Sequence, residues 1–307
     1  MLTYVARRLV GAIPTVFFIV TVAFFLIRIA PGGPFNLERP LPDQVMANLN
    51  AVYHLDEPLL TQYGLYLVNL LQGNFGPSFV YRDFSVGQLF ANGLPMSIQL
   101  GGSALLLALL VGTAAGVLAA MRQNTTADHT IMAGAMVGLT IPNFVMAPVL
   151  SLIFAIWLGW LPAGGWGDGA LINKALPVLT LALPQIAIIA RLTRGSMLEA
   201  LRSNHVRTAR AYGLPAFNVV VVHALRGAML PVISYLGPAA AALLTGSVVI
   251  ETIFGIPGVG RYFVQGALNR DYTLVMGTVV LISVFVVLFN LIVDLLYAWV
   301  DPKVRFD

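Results

Sequence analysis

The chain has 307 residues, of which 58% are hydrophobic and only 10% are charged, with 17 Lys and Arg against 13 Asp and Glu. A soluble domain carries about 25% charged residues, so this composition excludes a soluble enzyme, a disordered chain and a DNA-binding protein. It is typical of a polytopic membrane protein. The absence of cysteine excludes disulfides, thiolate metal sites and thiol catalysis.

Apolar runs separated by charged residues predict six membrane-spanning helices, because a span needs about 20 apolar residues at 1.5 Å each. Unpaired backbone groups are costly in lipid, so a span is a helix or part of a closed barrel. Runs of this length without alternation exclude a barrel. We therefore predict an all-α fold with helices near residues 9–29, 96–120, 131–159, 175–193, 229–251 and 275–299.

The positions of Lys and Arg predict that both termini are cytoplasmic, since cytoplasmic loops carry more positive charge. In this orientation eleven lie inside: Arg7, Arg8, Arg122, Arg191, Arg194, Arg202, Arg207, Arg210, Arg226, Lys303 and Arg305. Six lie outside: Arg28, Arg39, Arg82, Lys174, Arg261 and Arg270. The first apolar run is predicted to be an uncleaved helix rather than a signal peptide, because its apolar core is too long and no A-x-A-like site follows.

Residues 30–95 form a predicted helical insertion on the outer face. Pro58 suits the first turn of a helix, and Gly73 follows the next apolar run as a stop signal. Ser85 and Gln88 match a capping box before a short amphipathic stretch. Two roles fit this insertion: covering the ends of the membrane helices, or docking an external partner.

Residues 193–228 form the predicted cytoplasmic loop between the fourth and fifth spans. Gly213 can end a short helix and Pro215 can open the next one, which predicts a basic, exposed helix over 204–213. Its arginines fit either anionic lipid headgroups, at about 1 kcal/mol for each, or a groove on a cytoplasmic partner.

Ordered sequence blocks then resemble a known family. The block Arg207-Thr208-Ala209-Arg210-Ala211-Tyr212-Gly213-Leu214, followed by His223-Ala224-Leu225-Arg226 and Leu230-Pro231, resembles the EAA loop of binding-protein-dependent ABC importer permeases. Further blocks are Arg7-Arg8, Ile13-Pro14, Ala30-Pro31-Gly32, Tyr53-His54-Leu55, Gly73-Asn74-Phe75-Gly76, Glu251 to Gly260, and Asp301-Pro302-Lys303. The resemblance covers essentially the whole chain. It points to the peptide-import branch, in particular the B-type membrane subunit of oligopeptide permeases.

The chain departs from the family pattern at a few positions. The Glu-Ala-Ala signature reads Arg207-Thr208-Ala209, as is usual in this branch. Asn74 stands where an aspartate is common, and Tyr212 where a lysine is common. The change at Tyr212 is expected to alter the fit to a partner ATPase.

The resemblance implies a permease subunit of an ATP-binding-cassette importer in the bacterial inner (cytoplasmic) membrane, forming half of the translocation path for oligopeptides. Dipeptides, peptide-like antibiotics and a metal complex are alternative substrates within the family. The implied partners are a second homologous permease subunit, two ABC ATPase subunits, a periplasmic solute-binding protein and the lipid bilayer, with no nucleic acid. The sequence has no G-x-x-x-x-G-K-[ST] run. We therefore expect no enzymatic activity and no cofactor in this chain, with ATP and Mg bound by the partner ATPases.

Three groups of candidate site residues follow. The resemblance assigns ATPase coupling to His205, Arg207, Thr208, Ala209, Arg210, Ala211, Tyr212, Gly213 and Leu214. The candidate pathway-lining residues are Asn143, Gln185, Thr245 and Ser247. Asn290 and Asp294 lie one turn apart and are interpreted as structural intramembrane polar residues.

Other polar and small residues receive structural interpretations. Glu251 is expected to fix the following Gly-rich loop, 252–274, on the outer side. The small residues Ala239–Ala242 in the fifth span favour close helix packing. Pro142, Pro148, Pro177 and Pro184 interrupt the third and fourth spans, and we favour simple kinks over an alternative in which the freed carbonyls face the path. His54, His129, His205 and His223 are not spaced as metal ligands on one helix, so no metal site is predicted.

Two other classes of protein compete with the importer permease. An ion-coupled secondary transporter needs buried carboxylates or broken helices in paired halves, whereas only Asp294 is a plausible buried acid and the halves show no clear repeat. An intramembrane enzyme needs a catalytic cluster at membrane depth, and the sequence contains none.

Overall fold

The computed structural model describes residues 2–29, 55–81 and 83–300. Twelve α-helices lie in this part of the chain: α1 Leu2–Ile29, α2 Leu59–Leu71, α3 Val86–Met121, α4 Thr126–Thr140, α5 Asn143–Ser151, α6 Leu171–Arg202, α7 Asn204–Ala211, α8 Ala216–Asn218, α9 Leu225–Ala228, α10 Leu230–Ile253, α11 Val259–Leu268 and α12 Tyr272–Val300. Two π-helical turns, Leu152–Trp157 and Val219–Ala224, extend α5 and α8. Within the described ranges the extended pairing is one isolated bridge between Pro77 and Ser85.

Four helices are individually long and apolar enough to cross a membrane, namely α1, α3, α6 and α12. Two bent pairs also qualify when each is taken together: α4 with α5 and its π-helical turn, and residues 216–228 with the first half of α10. Counting each bent pair as one span gives six. The predicted all-α, polytopic membrane fold is confirmed.

The predicted third helix, 131–159, is broken in the structure. Helix α4 ends at Thr140, Ile141 is extended at φ −89° and ψ 120°, and Pro142 caps α5. The axes of the two segments differ by 105°, so the expectation of a simple kink at Pro142 was wrong. The physical reason is that a proline ring disfavours the helical conformation of the preceding residue.

Helix α3 begins earlier than expected and α6 ends later. The Ser85 and Gln88 capping box is confirmed: the Gln88 N–H donates to Ser85 Oγ at 3.2 Å, and the Ser85 N–H donates to Gln88 Oε1 at 2.9 Å. It opens the 36-residue helix α3 rather than a short amphipathic stretch. Helix α6 continues through Pro177 and Pro184 to Arg202, well inside the predicted loop 193–228.

Helices α3 and α6 pack closely along a line of small residues. Ala104, Ala108, Gly112, Gly116 and Ala120, spaced by four residues along α3, are all buried. A Cβ at Gly116 would lie only 2.6 Å from the Ala190 carbonyl oxygen of α6. Small residues let helix backbones approach each other in lipid. The sequence predicted such packing on the fifth span, whereas this contact lies between the second and fourth spans.

The described part of the predicted insertion, 55–85, packs on one end of the helix bundle. Pro58 caps α2, and Gly73 follows it in the left-handed region at φ 73°. The Arg28 Nε of α1 donates to Gln62 Oε1 of α2 at 2.8 Å. The remaining residues of that insertion, 30–54 and 82, lie outside the described residues, as does the predicted C-terminal block 301–303.

A buried carboxylate attaches the second half of this insertion to α12. Asp271 has no exposed surface. Its Oδ2 accepts from Ser78 Oγ at 2.5 Å, from the Phe79 N–H at 3.0 Å and from the Val80 N–H at 3.2 Å. Its Oδ1 accepts from the Leu274 N–H at 3.0 Å, which caps α12. One side chain therefore fixes both a loop and a helix end.

Candidate functional site: the exposed helix after α6

Helix α7 follows α6 after one residue, Ser203, whose extended backbone turns the chain. It is attached to the bundle on one side only. Val206 is fully buried and Ala209 is 5% exposed, and both belong to an apolar cluster with Ala120 of α3 and Met197 of α6. A short polar helix is not stable alone, so this packing holds α7 in place.

Gly213 ends this helix. Its N–H donates to the Arg210 carbonyl at 3.0 Å, and the Leu214 N–H donates to the Ala209 carbonyl at 3.4 Å. This is the hydrogen-bond pattern of a Schellman motif. Gly213 has φ +73°, a conformation that glycine adopts without a Cβ penalty. No other atom lies within 4 Å of the place where a Cβ would be, so the requirement comes from the backbone.

The other side of α7 faces away from the bundle. The exposed residues of α7 and its C-cap are Asn204, His205, Arg207, Thr208, Arg210, Ala211 and Tyr212. Tyr212 is 82% exposed, and Phe217 in α8 is 72% exposed. Exposed aromatic and arginine side chains are the types enriched where proteins bind proteins. The exposed side of α7 is therefore both basic and aromatic.

A partly buried ion pair joins α6 to α4. Arg194 of α6 donates through Nε to Asp128 Oδ1 and through its second amino group to Asp128 Oδ2, both at 2.7 Å. Asp128 is 1% exposed and lies in the first turn of α4, where the Asn124 N–H also donates to it at 3.0 Å. Arg194 was predicted only as a cytoplasmic charge, and no role was predicted for Asp128. Their separation of 66 residues offered no local signal.

The four candidate pathway residues are distributed over three helices. Gln185 of α6 is 7% exposed, and its Oε1 accepts from the Tyr235 hydroxyl of α10 at 2.7 Å. Ser247 of α10 is 1% exposed and hydrogen-bonds Glu251. Asn143 is half-buried at the start of α5. Thr245 is in α10, and its side chain lies outside the described part of the structure.

Glu251 fixes the Gly-rich segment that follows α10, as predicted. The side chain has no exposed surface, and its Oε1 accepts from Ser97 Oγ of α3 at 2.7 Å. Its Oε2 accepts from the Gly260 and Arg261 N–H groups at 2.8 and 3.3 Å. A carboxylate at a helix N-terminus satisfies free donors and complements the helix dipole. Glu251 therefore caps α11, although it belongs to another helix.

The two polar residues predicted in the last span both lie on α12, half-buried. Asn290 faces α10, because a Cβ at Gly237 would lie 2.9 Å from its Oδ1. Asp294 lies one turn further along the same helix.

Comparison with known families gives two matches that together account for most of the chain. Residues 112–306 match the family model described as binding-protein-dependent transport system inner membrane component. Residues 1–98 match the corresponding N-terminal model.

Named relatives match over the full length. The oligopeptide transport system permease protein OppB of Escherichia coli K12 is 55% identical over 306 residues, covering 100% of both chains. The same protein of Salmonella typhimurium LT2 is 54% identical with the same coverage. The dipeptide transport system permease protein DppB of Bacillus subtilis 168 is 43% identical over 305 residues, covering 99% of this chain and 98% of its own.

Two solved structures share the fold. The MetNI methionine ABC transporter in inward facing conformations matches with a TM-score of 0.60 at 18% identity, covering 70% of this chain and 97% of that one. An amino acid ABC transporter matches with a TM-score of 0.53 at 18% identity, covering 69% of this chain and 94% of that one.

Proposed function

Because the chain belongs to the family of inner membrane components of binding-protein-dependent transport systems, we propose that it forms half of the translocation path of an importer for oligopeptides. The observation that carries the substrate class is the 55% identity, over the whole length, to an oligopeptide transport system permease protein. The relative named for dipeptides is less similar, at 43%. Dipeptides, peptide-like antibiotics and metal complexes are the competing substrates.

The complete importer in this proposal contains a second homologous permease subunit, two ABC ATPase subunits and a periplasmic solute-binding protein. The ATPases bind ATP and Mg, since this chain has no phosphate-binding loop. Both termini and α7 lie on the cytoplasmic side, and the described insertion 55–85 lies on the periplasmic side. The excess of Lys and Arg on the cytoplasmic side supports this orientation.

Helix α7 is the coupling helix, seated on one ATPase subunit through its exposed face. Arg207, Arg210 and Tyr212 supply the charged and aromatic contacts. The single residue between α6 and α7, together with the apolar cluster beneath α7, supports the transfer of motion to the spanning helices. ATPase closure then shifts the permease between two packed arrangements that open the path to opposite sides.

The path lies between the two permease subunits, and Asn143, Gln185, Thr245 and Ser247 are its proposed lining residues. Gln185 and Ser247 are buried within this subunit and hydrogen-bonded. Exposure of Gln185 to the path therefore requires its contact with Tyr235 of α10 to open in another state, and exposure of Ser247 requires a rearrangement around α10. Asn290 and Asp294 hold α12 within the subunit and take no part in the path.

The substrate is tested by uptake into vesicles that contain the purified importer, ATP and the cognate binding protein. Labelled peptides of two to six residues are compared at one concentration. We expect ATP-dependent uptake of the longer peptides and weaker uptake of dipeptides. Stronger uptake of dipeptides, or of a metal complex without peptide, would refute oligopeptides as the substrate class. Uptake that needs an ion gradient but no ATP would refute the importer.

The coupling role of α7 is tested at Gly213. A Gly213→Val substitution places a β-branched side chain at φ +73°, where only glycine and asparagine fit readily. We expect the helix end to rearrange, ATP hydrolysis to continue and uptake to be lost, measured on the same purified complex.

Two variants control for this result. In Gly213→Asn the new side chain tolerates the left-handed region, so uptake should be higher than in Gly213→Val and close to that of the parent complex. Gly227→Ala alters a neighbouring glycine in α9 that has a helical backbone and no atom within 4 Å of a Cβ, and it should leave uptake unchanged. Normal uptake by Gly213→Val would refute the assignment of α7 as the coupling helix.

A further inference from the structure

Three helices meet at the ion pair between Asp128 and Arg194. Asp128 belongs to α4 and Arg194 to α6, and α3 lies against the same turn of α6. A Cβ at Gly116 of α3 would be 3.0 Å from the Arg194 backbone nitrogen. The pair therefore lies where the α3–α4 turn, residues 122–125, contacts α6.

A second, weaker hydrogen bond joins the same turn to the end of α6. Arg202, the last residue of α6, donates to Gln123 Oε1 at 3.2 Å. Asn124 in the turn has φ 61°, and its N–H donates to Asp128. Thr125 caps α4 with its side chain. Each residue from Gln123 to Thr125 thus contributes to a turn that is fixed on α6 and α4.

The apolar cluster under α7 completes this unit. It contains Ala120 of α3, Met197 of α6, and Val206 and Ala209 of α7. The ends of α3 and α6 and the buried face of α7 are therefore packed together. Helix α4 has no described residue in that cluster, and the ion pair supplies a polar contact between α4 and α6 near this end of the bundle.

We propose that Asp128 and Arg194 are positioning residues that join α4 to the unit formed by α3, α6 and α7, so that motion received by α7 also moves α4. The proposal rests on the coupling role of α7 given above. Arg194 acts through Asp128 and touches neither substrate nor nucleotide.

The type of contact suits this task. A guanidinium and a carboxylate joined by two parallel hydrogen bonds fix relative orientation as well as distance. A lysine in the same place would supply charge but no fixed fork. Removing Arg194 leaves the Asp128 carboxylate, which is 1% exposed, without its counter-charge. The pair therefore fixes the orientation of the first turn of α4 relative to α6.

The first measurement compares uptake per ATP hydrolysed in complexes carrying Asp128→Asn, Arg194→Gln or both changes. We expect the ratio to fall by about 2-fold to about 30-fold, the range for residues that couple two sites. The double variant should lose no more than either single variant, because both remove the same link.

The second measurement follows the rigid unit directly. Because the chain has no cysteine, a spin label can be attached at Thr126→Cys in α4 and another at Glu199→Cys in α6. The distance between the two labels is then measured in an importer whose other subunits also lack cysteine. Both positions are exposed. We expect one narrow distance with and without ATP in the parent chain, and a broadened distribution with Asp128→Asn.

A matched control removes another polar link of α6. Lys174 Nζ donates to Gln99 Oε1 of α3 at 3.0 Å, at the opposite end of α6. Lys174→Met should leave the uptake ratio and the distance unchanged. Where Asp128→Asn does not assemble, Arg194→Lys keeps the charge without the fork, and the same two readouts apply.

The outcomes separate the two proposals. If the parent complex shows no ATP-driven uptake, the proposed function fails, while the spin-label distances still test the rigid unit. If the parent complex is active and the pair variants lower only thermal stability, with an unchanged uptake ratio and an unchanged distance, the positioning role is overturned. Recovery of both readouts in Arg194→Lys would overturn the requirement for the fork.

Discussion

The contact between α3 and α6 at Gly116 leads to a specific prediction for Gly116→Ala. The added Cβ would lie 2.6 Å from the Ala190 carbonyl oxygen and 2.6 Å from Thr193 Cβ. Both are fixed parts of α6 rather than ends of flexible side chains. Ordinary contact begins near 3.4 Å, so the two helices must separate by about 0.8 Å, which is 3.4 minus 2.6.

Overpacking of this kind typically costs about 1–3 kcal/mol. With roughly 2–4 °C per kcal/mol for a large domain, the apparent Tm of the importer in detergent should fall by roughly 2–12 °C. Uptake should fall too, because α6 leads directly into α7.

The matched control is Gly102→Ala, a change in the same helix where no other atom lies within 4 Å of the new Cβ. Alanine favours helix over glycine by about 1 kcal/mol, so this variant should be unchanged or slightly more stable. Thermal unfolding followed by size-exclusion chromatography compares the two. Equal midpoints for Gly116→Ala and Gly102→Ala would refute the close packing of α3 on α6.

Two further predictions concern the buried carboxylates. Glu251→Ala should leave the Gly260 and Arg261 N–H groups without an acceptor, at about 1–3 kcal/mol each, and speed their amide hydrogen exchange, whereas Glu251→Gln keeps one acceptor and should be milder. Equal protection of the Gly260 and Arg261 amides from exchange in both variants would contradict the capping of α11 by Glu251. Asp271→Ala should speed exchange at Phe79 and Val80 while leaving α7 protected; unchanged exchange there would show that other contacts hold the loop.

The sequence predicted features that depend on local chemistry. The capping box at Ser85, the stop at Gly73 and the helix that ends before Gly213 all follow from residues a few positions apart, and the structure confirms them. The family suggested by the ordered blocks is confirmed by the full-length relatives. The orientation in the membrane and the lining of the path stay predictions.

The prolines show a structural feature that the sequence pattern does not predict, namely which proline breaks a helix. Pro177 and Pro184 lie inside α6 without ending it, whereas Pro142 separates α4 from α5 with a bend of 105°. A proline is tolerated within a membrane helix when neighbouring groups satisfy the freed carbonyls. Which proline breaks a helix therefore depends on packing. Gly138, just before the break, lies against Leu183 of α6, where a Cβ would be 2.8 Å from its carbonyl oxygen.

By itself the sequence determined that this is a membrane protein. It also determined which segments are apolar enough to span the membrane, and where several short helices begin and end. These properties depend on composition and on neighbours in the chain. The tertiary structure alone decided that Asp128 pairs with Arg194, 66 residues away, and that Ser97 and Glu251 meet across 154 residues. An aspartate in the first turn of a helix has the same local sequence whether it is solvated or paired with a distant arginine, because helix packing determines its partner.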